Sequence, residues 1–274
     1  MTPRRYLPLL SYITGRIQKN KNLIVVINGQ TGSGKTYAGL RILEDLSKSL
    51  GTSFTVEGNV DFKFKRLLQK MNKEENCKPG TCFLFEEVGA VGGGAAASQW
   101  QTKVNAMFGS FLQTTRSKQR VMIMTCPNFK DLDAKARRLC HLRIEMQNIN
   151  YAARFSIAKC HIIQTNARTG VDYHKRLRFN HDGRPTTFNR LECDLPSKDI
   201  LEPYEKMKEE FVNEMEKIIM EGEVKKKRER QEHMHTWRVR ITKSDKVCRT
   251  CGLIEQITKK NPIIDTHNQD TAIS

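Results

Sequence analysis

Apolar positions along this chain switch between a helical and a strand period. Leu7, Leu10, Ile13 and Ile17 recur at helical spacing and predict a helix over residues 4–20, weakened by Gly15. A continuous β-branched run at 23–27 reads as a strand buried on both faces. Ala38, Leu40, Ile42, Leu43 and Leu46 then define a helix ending at Gly51, with a short strand expected at 53–56. Phe62, Phe64, Leu67, Leu68 and Met71 form a second amphipathic helix, and 81–85 a further buried strand. After a Gly/Ala-rich stretch at 89–97, Trp100, Val104, Met107, Phe108, Phe111 and Leu112 predict a helix over 98–118. A strand at 121–125, a short helix at 131–138 and a strand at 139–146 follow.

The second half is more polar. Residues 154–164 and 171–179 read as a β-hairpin around the turn at 166–170, and 181–185 as another turn. Tyr204, Met207, Phe211, Met215 and Ile218 give a long helix over 202–230, suited to docking on a core or to a coiled-coil seam. It ends in a basic cluster at 225–230. Trp237, Val239 and Ile241 suggest one more strand, and residues after 257 read as disordered. The expected division is a domain over 1–190 with a basic hairpin, a helical linker at 191–231, a small module at 232–257 and a tail at 258–274.

Chemistry enters where the strand at 23–27 meets Gly29, Gln30, Thr31, Gly32, Ser33, Gly34, Lys35 and Thr36. This is G-x-x-x-x-G-K-T between a strand and a helix. Backbone N–H groups in such a loop turn inward around phosphate oxygens, and the helix N-terminus adds a favourable dipole. Lys35 places a point charge at the β- and γ-phosphates, and the Thr36 hydroxyl is a Mg2+ ligand. The strand at 81–85 delivers Glu86 and Glu87 to the same sheet edge. Glu86, where Asp is more usual, is the expected metal carboxylate, and Glu87 the group that activates water. The strand at 121–125 brings Thr125 and Asn128 to that edge, where a polar tip can sense the γ-phosphate. The element order predicts an α/β, RecA-like (ASCE) P-loop NTPase with a parallel sheet. In that fold another strand separates the P-loop strand from the strand carrying the carboxylates, unlike simple P-loop kinases.

Composition adds a partner class. The chain has 274 residues, a formal net charge of +17 and a pI of about 9.6, which favours a polyanion, nucleic acid above all. No apolar run approaches the roughly 18 residues of a bilayer span, and the stretch at 7–10 is short for a signal peptide. These features, with cysteines placed in core elements, predict reduced thiols and a cytoplasmic location, or the host-cell cytoplasm for a viral protein. In the tail, Cys248 and Cys251 form Cys-x2-Cys-Gly, and His233 and His235 lie within reach of a small ribbon. That set is a candidate Zn2+ site, and a module of this size would need the metal to fold. Two unmetallated thiols in a tail are the alternative.

Residues 22–146 resemble the HerA/FtsK-type motor ATPases and their relatives: virus genome-packaging ATPases, conjugation ATPases and zonula-occludens-toxin-like phage assembly proteins. The resemblance is carried by GQTGSGKT at 29–36, FLFEE at 83–87, LQTTRSKQRVMIMTCPN at 112–128 and LDAKARRLCHL at 132–142. It implies ATP hydrolysis, a ring, commonly a hexamer, and an arginine entering the neighbouring subunit's site. Arg116, Arg137 and Arg138 are the candidates for that arginine, and a surface or DNA-contact role is the alternative for each. Many members carry Gln at the sensor position, here Asn128, and the assembly-protein relatives usually carry a membrane span. The expected function is an ATP-driven DNA motor, its C-terminal module recruiting DNA or a protein partner. The rivals are a nucleotide-switched adaptor or assembly ATPase that does not translocate DNA, and a small-molecule kinase.

Overall fold

A computed structural model describes residues 7–86, 118–132, 134–166, 168–181, 184–188, 190–232, 237–240, 245–249 and 254–256. The chain divides into two compact units, 1–209 and 210–274.

The first unit opens with helix α1 (Leu7–Gln18), strand β1 (Leu23–Asn28) and helix α2 (Lys35–Leu50). Every residue of β1 is buried, as its unbroken apolar run requires of a strand covered on both faces. Gly51 ends α2 in the left-handed conformation, its N–H reaching back to the Ser47 carbonyl. The single turn α3 (Val56–Asn59), the two-residue β2 (Val60–Asp61) and α4 (Phe64–Met71) follow. The strand expected at 53–56 is therefore displaced to 60–61. Thr55 accepts a hydrogen bond from the Gly58 N–H, and Asn59 Oδ1 accepts one from the Thr55 N–H at 3.0 Å. These side-chain bonds close a helical turn where β-propensity alone suggests extension.

Strand β3 (Cys82–Phe85) and strand β4 (Val121–Cys126) are wholly buried. Next come a 3-10 turn (Phe129–Asp131), α5 (Ala134–Leu139) and β5 (Leu142–Asn150). The strand expected from 139 starts three residues later, because Leu139 still belongs to the helix. His141 makes the junction. Its N–H donates to the Ile24 carbonyl at 2.8 Å, and its Nδ1 accepts the Ile24 N–H at 3.0 Å. The hairpin predicted from 154 is present as β6 (Phe155–Thr165) and β7 (Asp172–Arg176). Three more strands follow: β8 (Arg178–His181), β9 (Arg184–Thr187) and β10 (Leu191–Asp194).

The main sheet runs β10-β6-β5-β1-β4-β3-β2, with β7 also on β6. From β5 to β2 all pairings are parallel, whereas β6 is antiparallel to β5, β7 and β10. The basic hairpin thus continues the central sheet. Apolar side chains of β1, β3 and β4 on one face pack with α4 and α5 around Phe83, Met124 and Leu67. Helix α2 packs on β1, β3 and β4. The β5–β6 ladder shifts register between Met146 and Asn148, a bulge that falls beside the loop after β1.

Helix α6 (Lys198–Glu232) is longer at both ends than the predicted 202–230. Within the first unit, Ile200 and Tyr204 are buried and Tyr204 stacks on Phe62 at 6.2 Å. The second unit contains the rest of α6 and a three-stranded antiparallel ribbon, β11 (Trp237–Arg240), β12 (Asp245–Cys248) and β13 (Ile254–Gln256). Ile218, Ile219 and Met220 of α6 are exposed. No described helix is long and apolar enough to cross a membrane. None of the seven described cysteines is in a disulfide.

Candidate nucleotide-binding site

The loop between β1 and α2 is shaped by close approach. A Cβ on Gly29 would lie 2.8 Å from Met146 Cβ and 2.8 Å from Ser33 Oγ. Gly34 caps α2 with φ 81°, which a side chain would oppose, and a Cβ there would press on Ser156 at 3.3 Å. The loop is thus held between its own turn and the β5–β6 strands. Lys35 is buried, and its ammonium donates to the Gly29 and Gln30 carbonyls at 3.0 Å each. Ser33 Oγ is buried with no hydrogen-bond partner among the described residues. A buried cation and an unsatisfied hydroxyl in a glycine-rich turn at a helix N-terminus fit the phosphates of a nucleotide.

Thr36 and Glu86 meet across the sheet edge. The Thr36 hydroxyl donates to Glu86 Oε1. Glu86 is 3% exposed and follows directly on β3, and its N–H donates to the Asp61 carbonyl of β2 at 3.1 Å. Asp61 is itself held by Lys70 at 3.0 Å and Arg66 at 3.2 Å. A hydroxyl and a carboxylate side by side are a hard-oxygen pair of the type Mg2+ takes.

On the other flank of β1, Asn28 is buried and its Oδ1 accepts from Arg143 Nε at 2.8 Å. The Arg143 guanidinium lies 4.9 Å from the Phe129 ring centroid. The Gly29 N–H donates to the Pro127 carbonyl at 3.2 Å, tying the tip of β4 to the loop. Burial pushes the Cys126 thiol up to about 12, Asp131 adds to the rise, and Lys35 and Arg143 oppose it. The sequence reading missed Asn28 and Arg143. The available signal is a polar residue closing an apolar strand, and an arginine within the alternating segment 142–146.

Other predicted residues are placed differently. Asn128 is exposed. Its Oδ1 accepts the Lys130 N–H at 3.0 Å while Asp131 accepts the Asn128 N–H at 2.9 Å, a reciprocal cap on the 3-10 turn. Thr125 is buried within β4. Arg137 donates to the Lys130 and Leu132 carbonyls at 3.1 and 2.6 Å, and Arg138 is exposed in the last turn of α5. Glu87, Arg116, His233, His235 and Cys251 lie outside the described residues. Cys248 closes β12 and is buried, and no group of three or more metal-ligating side chains occurs among the described residues.

The decisive observation is the position of β4. It separates β1, which feeds the loop, from β3, which delivers Glu86. The chain has a RecA-like P-loop NTPase fold.

No protein-family model matches the chain, and no curated protein matches it. Solved structures similar to parts of it include the following three. The N-terminal domain of zonular occludens toxin from Neisseria meningitidis is 17% identical, with TM-score 0.34, covering 57% of this chain and 95% of that one. A KaiC-like protein from Pyrococcus horikoshii OT3 is 12% identical, with TM-score 0.34, covering 61% and 89%. The genome packaging NTPase of Sulfolobus turreted icosahedral virus 2, solved with ATP-gammaS, is 11% identical, with TM-score 0.31, covering 57% and 97%. The fold assignment rests on the strand order and the loop geometry of the chain itself.

Proposed function

We propose that this protein is an ATP-hydrolysing motor of the HerA/FtsK type that acts on DNA. The observation that carries the reading is the contact of Thr36 with Glu86 at the foot of the Lys35 loop, with β4 set between β1 and β3. The loop amides, Lys35 and Ser33 bind the triphosphate, while Thr36 and Glu86 hold Mg2+, which neutralises charge on the phosphates when bound. Glu87 takes a proton from water as its oxygen bonds to the γ-phosphorus. The bond from that phosphorus to the β-bridging oxygen breaks, giving ADP and phosphate. Asn28 and Arg143 keep the end of β1 in register with β5 and so position the loop. An arginine from a neighbouring copy, Arg116 or Arg138, completes the site in a ring. Cys248 and Cys251, with His233 or His235, bind zinc in a C-terminal module that recruits DNA or a protein partner.

The test is steady-state ATP hydrolysis with and without duplex DNA, alongside nucleotide binding. DNA stimulates the wild type, and Glu87→Gln abolishes turnover while ATP still binds. ATP binding with no turnover under either condition overturns the motor in favour of a nucleotide-switched assembly protein. Transfer of phosphate to a small acceptor would make it a kinase.

A further inference from the structure

A row of side chains joins the basic hairpin to the strand that feeds the phosphate loop. Val26, Arg143, His161 and Arg176 are register partners across β1, β5, β6 and β7, so they share one face of the sheet. His174 lies two residues before Arg176 on that face. Its ring stands nearly perpendicular to that of the buried Phe129, with centroids 5.7 Å apart, and His161 meets it in the same way at 6.4 Å. Partial burial, with Arg143 nearby, lowers the His174 pKa below its ordinary value, so a neutral imidazole faces Phe129 at neutral pH.

From Phe129 two connections run to the start of the loop. The Arg143 guanidinium lies 4.9 Å from the Phe129 ring centroid, and its Nε donates to Oδ1 of Asn28, the residue before Gly29. Phe129 also follows Pro127 by two positions, and the Pro127 carbonyl accepts the Gly29 N–H at 3.2 Å. Both connections end on Gly29. At the far end of the row, β7 pairs only with β6 among the described strands, and four of its five residues are exposed. A strand with so little burial opens locally at small free-energy cost. Lys175 and Arg176 of β7 line one cavity with Ile162 and Gln164 of β6 and Arg178 of β8. An anion seated there holds β7 against its neighbours.

We propose that His174 is a positioning residue for the nucleotide site. A polyanion on the basic hairpin docks β7, and the contact of His174 with Phe129 passes that order to Gly29, so that the loop binds nucleotide more tightly. The inference rests on the loop taking the triphosphate and on DNA being the polyanion, as proposed above. Coupling between two bound ligands is reciprocal, so nucleotide tightens DNA binding by the same factor. Breaking the aromatic contact uncouples the two sites without removing a group that holds either ligand.

The experiment measures equilibrium binding of a slowly hydrolysed ATP analogue with Mg2+ to the full chain, with and without saturating duplex DNA at one salt concentration. Binding of the duplex is measured with and without the analogue. In the wild type each ligand tightens the other by about fivefold or more, the low end of ordinary coupling. In His174→Ala that factor falls to about two or less, as expected for loss of an aromatic pair worth a factor of about two to twelve. Each ligand alone still binds within about threefold of its wild-type affinity. His174→Phe, which keeps an aromatic ring against Phe129, restores the wild-type coupling. A role in stability alone would lower the unfolding midpoint of His174→Ala and leave the coupling in place. The inference is overturned if the wild type shows no coupling, if His174→Ala keeps it, or if His174→Phe loses it as Ala does. It is also overturned if His174→Ala abolishes DNA binding outright, which would place His174 in the DNA contact itself. Failure of the underlying reading looks different: the wild type binds no nucleotide, or binds no DNA.

Discussion

His141 shows what a single residue does where a strand begins late. Its Nδ1 accepts the Ile24 N–H, and its own N–H returns a bond to the Ile24 carbonyl. Ile24 is 2% exposed, so without the imidazole its N–H is buried without a partner. His141→Ala is expected to destabilise the protein by about 1–3 kcal/mol, the cost of an orphaned buried donor. His141→Asn, whose amide oxygen can accept the same bond, recovers much of the loss. Urea denaturation measures both, and nucleotide affinity stays at the wild-type value in each. An equal loss in both variants would assign the effect to packing instead. The glycine-rich loop was readable because its residues are contiguous and match a pattern with a defined chemistry. His141, Asn28 and Arg143 were not, because their partners lie 115 or more positions away in the chain. Hydrogen bonds of that span leave no periodic trace.

At the scale of elements, α2 does more than end a phosphate loop. Tyr37 reaches Glu205 at 2.7 Å, Arg41 reaches the Leu195 carbonyl at 3.4 Å and Glu44 accepts the Ser197 N–H at 3.1 Å. All three fix the root of α6 to the helix that follows the loop. Burial pushes the Tyr37 phenol up to about 12, with Glu205 adding to the rise, so it remains a donor at neutral pH. Burial works to raise the Glu44 carboxyl, but Lys48 and Ser197 hold it below its usual range. Exchanging Glu205 for Ala removes one of these ties while leaving Ile200 and Tyr204 packed. The expected result is faster amide hydrogen exchange over residues 198–205, by about fivefold for a tie worth about 1 kcal/mol. Exchange in β1 and β4 is unaffected. Unchanged protection at 198–205 would show that apolar packing alone holds the root of α6. Periodicity found this helix and its apolar positions, but not its start, because residues 195–197 are fixed by α2 rather than by their own pattern. The strand misplaced at 53–56 has a different origin, in local side-chain bonds that override propensity.

For the whole molecule the question is where a charge of +17 acts. The antiparallel end of the central sheet carries β6 and β7, whose Lys159, Lys175 and Arg176 are exposed, as is Arg178 at the start of β8. Lys175, Arg176 and Arg178 line a shallow cavity with Gln164 and Thr187, a surface that is basic and lacks a carboxylate among its lining residues. A duplex lying on it would be held through phosphates, which position without reading sequence. Each phosphate neutralised releases counterions, so the logarithm of affinity falls with the logarithm of salt at about 0.9 per contact. Replacing Lys175, Arg176 and Arg178 together by Ala should lower that slope by about 2–3 and weaken binding to unrelated duplexes alike. Nucleotide affinity without DNA should not change, since none of the three lines the loop. Binding measured from 50 to 200 mM salt gives the slope directly. A slope equal to the wild type's would move the DNA contact off this edge, leaving the basic run at 225–230 of the sequence as the next segment to neutralise.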